Sequence, residues 1–361
     1  MIKISRWVLA VVTVVTIAAW AGPLLAEDAP LQTNGFVDVY YSHNTNNPKS
    51  RLNGFANFDF HHKTFSLNLA ELQFKKTAAP VGFRVDLDFG ETTDLVHCAR
   101  LSCGKVVSDE EPYKNVQQAY LTWAGPSGFT MDAGKFVTHM GAEVIETKDN
   151  WNYTRGLLFA FAIPYYHAGV RFNYPVSDKV FLNGYVYNGW NNVVETNSKK
   201  TYGVQIGLTP VKQFPILLSW LGPEDTATGK DRHVYEITAT LLASDQVSLM
   251  LDYNHGREDL KTGGTGTYKG FALYGRVVSA SRPCALAVRY ERTDDDDNLM
   301  YGTLTSPKVS EVTVTGEHVV AKNLLARLEF RHDTSDKDIF EDRNGVTDSQ
   351  NRIVAGLVYS F

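Results

Sequence analysis

The chain has 361 residues, of which 35 are lysine or arginine and 40 are aspartate or glutamate, so its formal net charge is −5 at pH 7. This slight acidity excludes a typical nucleic-acid-binding protein, which needs a basic surface. The mean hydropathy of −0.22 and the absence of a long apolar run beyond the N-terminus exclude an α-helical membrane protein, whose spans need about 20 apolar residues each.

The N-terminus has the composition of a secretory signal peptide. Two basic residues precede an uncharged, mostly apolar run that ends before Pro23. We predict cleavage after Ala26, so that residues 1–26 are a signal peptide and the mature chain is residues 27–361. Cleavage after Ala21 and retention of the segment as an uncleaved anchor are the alternatives. Removing the signal peptide deletes two basic residues and no acidic one, which takes the net charge from −5 to −7.

The mature chain repeatedly alternates apolar and polar residues with the period of two that is typical of β-strands. In residues 81–89, for example, Arg84, Asp86 and Asp88 share one face and apolar residues the other. This rule gives about sixteen segments (range about 12–18) of roughly ten residues, the length of a tilted membrane-spanning strand. A shift of the alternation predicts a bulge near Ala70. The predicted strand centres lie near residues 38, 69, 85, 120, 132, 170, 185, 205, 217, 238, 251, 274, 288, 312, 328 and 356.

The connections between these segments alternate in length. Short connections consist mostly of turn-forming Gly, Pro, Ser, Asp and Asn. Short periplasmic turns opposite long outer loops are typical of a transmembrane barrel. We therefore predict an all-β fold, a single antiparallel up-and-down transmembrane β-barrel domain over residues 27–361. Long polar connections are predicted near residues 44–63, 91–114, 137–165, 191–200, 222–231, 255–267, 293–306 and 333–350.

The chain ends on an aromatic residue inside an alternating strand. Its last eight residues, VAGLVYSF, resemble the insertion signal of outer-membrane barrels at Gly356, Tyr359 and Phe361. They depart from that signal at Val354, where a polar residue is usual. We predict that Phe361 is the recognition end of the closing strand, and that this strand pairs with the first one near residues 36–41.

The three cysteines predict one disulfide and one isolated thiol. Cys98 and Cys103 lie in a polar stretch, so we expect them to form a disulfide in an oxidising compartment. A metal site formed with His97 is the alternative, but a second ligand pair at suitable spacing is lacking. Cys284 falls on an apolar strand face and is interpreted as a small hydrophobe. We predict no metal and no cofactor.

Three long stretches of the chain also resemble a known family. They are residues 65–97, 131–193 and 327–340, and their most specific parts are GAEVIE-KDNWNY and AIPYYH-GVR. These stretches are similar to the β-barrel outer-membrane porins of the OmpL-like type, and the resemblance covers nearly all of the mature chain. It implies an outer-membrane barrel with porin-like permeation, and it brings no catalytic motif and no known substrate.

Charged residues on the polar strand faces are the candidate pore lining. One interpretation is a set of cross-strand ion pairs that stiffen the barrel. The other is a charged constriction that filters solutes by charge. The candidates are Arg84, Asp86, Asp88, Arg171, Arg276, Arg289, Glu291, Arg327, Glu329 and Arg331.

The long segment 137–165 carries many charged and aromatic residues followed by the apolar run LLFAFAIPYY. It folds inward and narrows the pore under one interpretation, and it is an outer loop with an extended strand top under the other. The sequence leaves both open.

We predict a non-enzymatic channel of the bacterial outer membrane that passes small hydrophilic solutes or ions by diffusion. A structural or adhesive barrel that does not conduct is the main alternative. A barrel enzyme is the third class, but no Ser, His and acid combination supports it. The expected partners are outer-membrane lipids, the barrel-assembly machinery and small hydrophilic solutes, with no nucleic acid; homo-oligomerisation is left open.

Overall fold

The computed structural model describes residues 29–97, 113–226, 229–303 and 305–361. The predicted signal peptide (residues 1–26) and the predicted Cys98–Cys103 disulfide lie outside the described residues. In the described part of the chain, no helix is both long enough and apolar enough to cross a membrane.

Sixteen antiparallel strands form one closed barrel. Every predicted strand centre falls inside one of these strands, so the predicted fold class is confirmed. One short helix, α1 (Glu91–His97), follows β3, and β16 (Phe340–Glu341) and β17 (Val346–Thr347) form a separate small hairpin. The barrel strands are β1 (Gln32–Asn44), β2 (Phe65–Lys76), β3 (Val81–Phe89), β4 (Val116–Ala124), β5 (Thr130–Val137), β6 (Tyr166–Ser177), β7 (Val180–Tyr187), β8 (Thr201–Leu208), β9 (Ile216–Glu224), β10 (Gly229–Leu242), β11 (Val247–Leu260), β12 (Thr265–Val278), β13 (Cys284–Asp294), β14 (Lys308–Ala321), β15 (Leu324–Ser335) and β18 (Ser349–Ser360).

The barrel closes between its first and last strands. β1 pairs with β18, and Phe36 lies opposite Ser360 in their register. At the end of this ladder the Phe361 N–H donates to the Gly35 carbonyl (2.9 Å) and the Gly35 N–H donates to the Phe361 carbonyl (3.1 Å). Closure matters because an edge strand in lipid would leave its backbone groups without partners. The predicted pairing of the last strand with residues 36–41 is therefore confirmed.

The two faces of each strand meet different environments. In β18, Leu357 is 46% exposed and its neighbour Val358 is 2% exposed. The exposed set along the strand is apolar and includes Ile353 and Tyr359, as a lipid-facing surface requires. The opposite set points into the barrel and includes the buried Arg352. The alternation seen in the sequence is therefore a division between lipid and lumen.

The two ends of the barrel differ as predicted, with two exceptions. The start of β1, the end of β18 and the short connections lie at one end, called the turn end, and the long connections lie at the other, called the loop end. The predicted long loops 222–231 and 255–267 are wrong, because strands occupy most of them: β9 continues to Glu224 and β10 begins at Gly229, while β11 continues to Leu260 and β12 begins at Thr265. Polar residues occupy both faces of these strand ends, as at Arg257 opposite Thr267. The strands therefore remain paired beyond the point where the alternation of apolar and polar residues ends.

A bulge interrupts the pairing of β1 with β2, near the position predicted at Ala70. The register shifts between Asp38 and Val39, which lie opposite Leu69 and Leu67, so Asn68 is the extra residue. Asn68 and Leu69 are both buried as a result. The bulge thus places one polar and one apolar side chain side by side on the inner face.

Deletion of Phe361 should lower the amount of folded protein in the outer membrane, because it removes the last hydrogen-bonded residue of the closing strand. Channel selectivity of the protein that does insert should change little. Quantitative immunoblotting of membrane fractions measures the first, and reversal potentials measure the second. Phe330→Ala is the matched control, since Phe330 is also an exposed aromatic on the outer surface. Normal membrane levels of the truncated chain would contradict the assigned role.

Candidate functional site

Residues 138–165, called the inserted segment, fold into the barrel and cross its lumen. The Gly141 N–H donates to Oε1 of Glu236 on β10 (2.7 Å). Farther along, the Tyr153 hydroxyl donates to Oδ1 of Asp38 on β1 (2.8 Å). These contacts connect strands that lie far apart around the wall. The structure therefore shows the inward-folding alternative for this part of the chain.

Arginines of the wall donate hydrogen bonds to backbone carbonyls of the inserted segment. Arg327 on β15 reaches the carbonyl of Thr147 with Nη1 (2.5 Å) and that of Asn150 with Nη2 (2.6 Å). Arg331, four residues farther along β15 on the same face, donates to the carbonyl of Arg155 (2.7 Å). Charge-assisted hydrogen bonds of this kind are about twice as strong as neutral ones. These two arginines therefore hold the segment against the wall.

Carboxylates of the wall accept hydrogen bonds from N–H groups of the same segment. Glu329 on β15 accepts from the Tyr153 N–H (2.6 Å) and the Thr154 N–H (3.0 Å). Glu291 on β13 accepts from the Leu157 N–H. Buried backbone groups without partners are costly, and irregular backbone at membrane depth needs them satisfied by protein or water. The wall thus supplies both the donors and the acceptors that the inserted backbone requires.

Two arginines of the wall, Arg289 and Arg331, also form buried ion pairs. Nε of Arg289 lies 2.6 Å from Glu311 on the neighbouring β14, and its Nη1 lies 2.8 Å from Glu143 of the inserted segment. Arg331 lies 2.7 Å from Asp333. Buried charges cost several kcal/mol each unless they are paired. The wall from β13 to β18 is therefore a network of compensated charges that the inserted segment completes.

The predicted pore-lining residues fall into two groups. Arg289, Glu291, Arg327, Glu329 and Arg331 are buried and contact the inserted segment. The other arginines lie in the turn-end half with side chains 26–29% exposed, and each has a carboxylate partner. These pairs are Arg84 with Asp86 (2.8 Å), Arg171 with Asp132 (2.6 Å) and Arg276 with Glu317 (2.7 Å). Asp88, the remaining candidate, is buried on β3.

Residues 45–64, called the first loop, also enter the barrel, which the sequence analysis did not predict. Asp59 pairs with Arg352 on β18 (2.5 Å), and burial raises the pKa of Asp59 to about 6 although Arg352 opposes the shift. Asn57 donates to the carbonyl of Ala160 in the inserted segment (3.2 Å). Aromatic residues in an otherwise polar loop were the available signal. The aromatic cluster they form at the loop end consists of Phe55, Phe58, Phe159, Phe161, Tyr165, Tyr301 and Phe340.

Helix α1 lies on the lumen side of β2. Its Thr92 hydroxyl donates to Oδ1 of Asn68 at the bulge (2.8 Å). His97 ends the helix with Nδ1 2.9 Å from the Thr93 carbonyl and Nε2 2.5 Å from Nζ of Lys135. Burial lowers the pKa of His97 to about 3, so its ring is neutral. Both ring nitrogens are engaged, which argues against the alternative metal site at this histidine.

Glycines allow the inserted segment to approach the wall closely. A Cβ on Gly356 of β18 would collide with the ring of Tyr153, and a Cβ on Gly156 would collide with the carboxylate of Glu291. Gly356 belongs to the stretch that resembles the insertion signal. The structure adds a second reason for glycine there, which is the space that Tyr153 occupies.

Comparison with known proteins agrees with this architecture. Residues 30–361 match the family described as "Putative beta-barrel porin-2, OmpL-like". The chain belongs to this family. The protein is therefore a β-barrel porin of the bacterial outer membrane, a channel for small solutes. The turn end of the barrel is accordingly periplasmic and the loop end faces outward. None of the curated proteins matches the sequence.

Solved structures share the fold of this porin at low sequence identity. The outer membrane channel DcaP of Acinetobacter baumannii superposes with a TM-score of 0.63 at 14% identity, covering 94% of this chain and 100% of that one. An anion-selective porin from Comamonas acidovorans gives a TM-score of 0.61 at 11% identity, covering 92% and 99%. The trimer form of OmpT from Vibrio cholerae gives 0.61 at 11% identity, covering 92% and 100%.

Gly356→Ala should destabilise the porin by about 1–3 kcal/mol, the usual cost of overpacking, because the added methyl displaces Tyr153. The measurement is the urea midpoint of unfolding in detergent micelles. Gly316→Ala on β14 is the matched control, since the nearest atom to its Cβ is the Leu328 carbonyl oxygen at 3.9 Å. Equal midpoints for the two variants would show that Tyr153 does not depend on Gly356.

Proposed function

We propose that this porin passes small hydrophilic solutes and ions by passive diffusion through a narrow path beside the inserted segment, and that it has no enzymatic activity. The observation that carries the proposal is the inner surface of the barrel. It is polar and charged, and its side chains form hydrogen bonds with backbone groups of the inserted segment that narrows it. A lumen lined in this way accommodates water and hydrated solutes better than apolar ones.

The periplasmic half of the lumen supports this path. A cavity of about 510 Å³ opens at the turn end beside Phe36, Glu71, Lys148 and Lys322. A second cavity, of about 210 Å³, lies among the inward-facing residues of β5–β7, including Arg171. Both cavities border charged side chains. A solute leaving the constriction would therefore enter a polar vestibule.

A barrel that does not conduct is the second candidate, because the outer half of the lumen is well filled. The aromatic cluster at the loop end joins the first loop, the inserted segment and the small hairpin β16–β17. Stepwise current increases in planar bilayers would favour the channel. An insulating barrel in the same assay would favour the structural role.

The proposal includes the partners of this porin and its route of export. The exposed apolar outer surface supports contact with outer-membrane lipids, and the terminal Phe361 supports recognition by the barrel-assembly machinery. Export through a signal peptide cleaved after Ala26 and a disulfide between Cys98 and Cys103 are also proposed. We also propose that this porin forms a homo-oligomer, because the structurally similar OmpT of Vibrio cholerae has a trimer form.

Deletion of residues 143–153 should raise single-channel conductance roughly twofold or more, because it removes the part of the inserted segment that crosses the lumen. Planar-bilayer recording in KCl measures the effect. Deletion of residues 343–345 is the control, since these residues form an exposed turn of the small hairpin. An unaltered conductance after the first deletion would show that the segment does not limit the current.

Replacing Arg327 and Arg331 by alanine should change both ion preference and conductance. The substitutions remove two cations from the wall and release the carbonyl groups of Thr147 and Arg155. Reversal potentials in a KCl gradient report the preference, which should shift toward cations. Arg292→Ala is the matched control, because Arg292 on β13, two strands away, has a side chain that is 48% exposed. Unchanged selectivity would leave these arginines with an anchoring role alone.

A further inference from the structure

Two acidic side chains face each other across neighbouring strands of the lumen wall. Glu71 of β2 lies directly opposite Asp88 of β3. The two are 4% and 0% exposed. Cβ atoms of directly opposed residues lie about 5 Å apart, and like charges in that position destabilise a sheet. Oε2 of Glu71 and both carboxylate oxygens of Asp88 accept no hydrogen bond from any described residue.

The neighbouring basic groups have other hydrogen-bond partners among the described residues. Nε of Arg84 donates to both carboxylate oxygens of Asp86 (3.1 and 2.8 Å). Nζ of Lys148 lies 2.5 Å from Oδ2 of Asp149, and Lys135 donates to a backbone carbonyl. Glu146 of the inserted segment adds a further carboxylate near the pair, and burial raises its pKa. Acidic side chains therefore outnumber basic ones around the pair.

Other buried wall carboxylates accept at least one hydrogen bond, as Glu236 does from the Gly141 N–H and Glu329 from the Tyr153 N–H. Both carboxylate oxygens of Asp88 accept none from the described residues. An uncompensated buried carboxylate costs several kcal/mol. The unmet acceptors at Glu71 and Asp88 therefore point to a ligand that carries positive charge and hydrogen-bond donors.

Glu71, one member of the pair, lies beside a cavity that opens on the periplasmic side. Glu71 forms part of the wall of the cavity of about 510 Å³ at the turn end. Phe36, Leu325 and Val358 give the same cavity an apolar side. A ligand with a charged head and a short hydrocarbon body matches this combination of surfaces.

We propose that Glu71 and Asp88 bind the primary ammonium group of a small organic solute that passes through the channel. An ammonium group has three N–H donors, and three carboxylate oxygens of the pair lack partners. An ammonium ion fits better than a metal ion, because the described residues contain no group of three His, Cys, Asp or Glu side chains that could hold one. This inference rests on the proposed channel function and names a solute class for it.

The test compares two monovalent cations of equal charge in planar bilayers. Ethylammonium donates hydrogen bonds and tetramethylammonium does not, so ethylammonium should reduce the potassium current at roughly tenfold lower concentration. In Glu71→Gln/Asp88→Asn, which keeps the side-chain shapes, the two ions should become equivalent. Asp149→Asn is the control, since Asp149 borders the same cavity without belonging to the pair.

Equal effects of the two ions on the unaltered protein, or an unchanged difference in the double variant, would overturn the inference. So would inhibition by Ca²⁺ but not by ethylammonium, which would indicate a metal site. Potassium conductance itself tests the proposed channel function. A channel that conducts potassium but does not prefer ethylammonium would therefore contradict the ammonium site and leave the channel function intact. Asp88→Asn alone, recorded in parallel, gives the same comparison if the double variant does not insert.

Discussion

Closure of the sheet between β1 and β18 is the constraint on which the rest of this porin depends. The ladder from Phe36 to Ser360, with the two hydrogen bonds between Gly35 and Phe361, leaves no open edge in the wall. A closed barrel of sixteen strands is too wide for its own side chains to fill. Its charged side chains must point inward, because the outer face meets lipid. The lumen therefore holds many charges that need partners.

The inserted segment supplies partners for these charges, and its own backbone groups also require hydrogen-bond partners. Its backbone is mostly irregular, so its N–H and C=O groups lack the regular hydrogen bonds of a helix or a sheet. Arg327 and Glu329 supply a donor and an acceptor from one strand of the wall. The segment in turn contributes Glu143 to the buried Arg289. The ion-pair and constriction interpretations of the wall charges are thus compatible, since the ion pairs position the segment that narrows the lumen.

The sequence was informative wherever each residue meets one of two environments. Alternation in the last strand, as at Leu357 and Val358, placed the strands correctly because lipid and lumen select different side chains. It failed in β11 and β12 beyond the lipid, where both faces are polar. It also could not place the inserted segment, because contacts such as Arg327 with Asn150 join residues 177 positions apart. No local pattern encodes such a distance.

The pairing of charged side chains in the lumen, rather than their number, should determine ion selectivity. Most lumen arginines are neutralised by a neighbouring carboxylate, as Arg171 is by Asp132, so each pair contributes only a dipolar field to the path. The wall near Glu71 and Asp88 carries carboxylate oxygens that accept no hydrogen bond from the described residues. Buried charges are screened less than exposed ones, so acidic groups without partners should affect a passing cation more than a larger number of balanced pairs does. Selectivity in this porin should therefore be set chiefly on β2 and β3, where acidic groups lack partners. The arginine-rich wall should affect selectivity mainly when a substitution at Arg327 or Arg331 leaves a carboxylate unpaired.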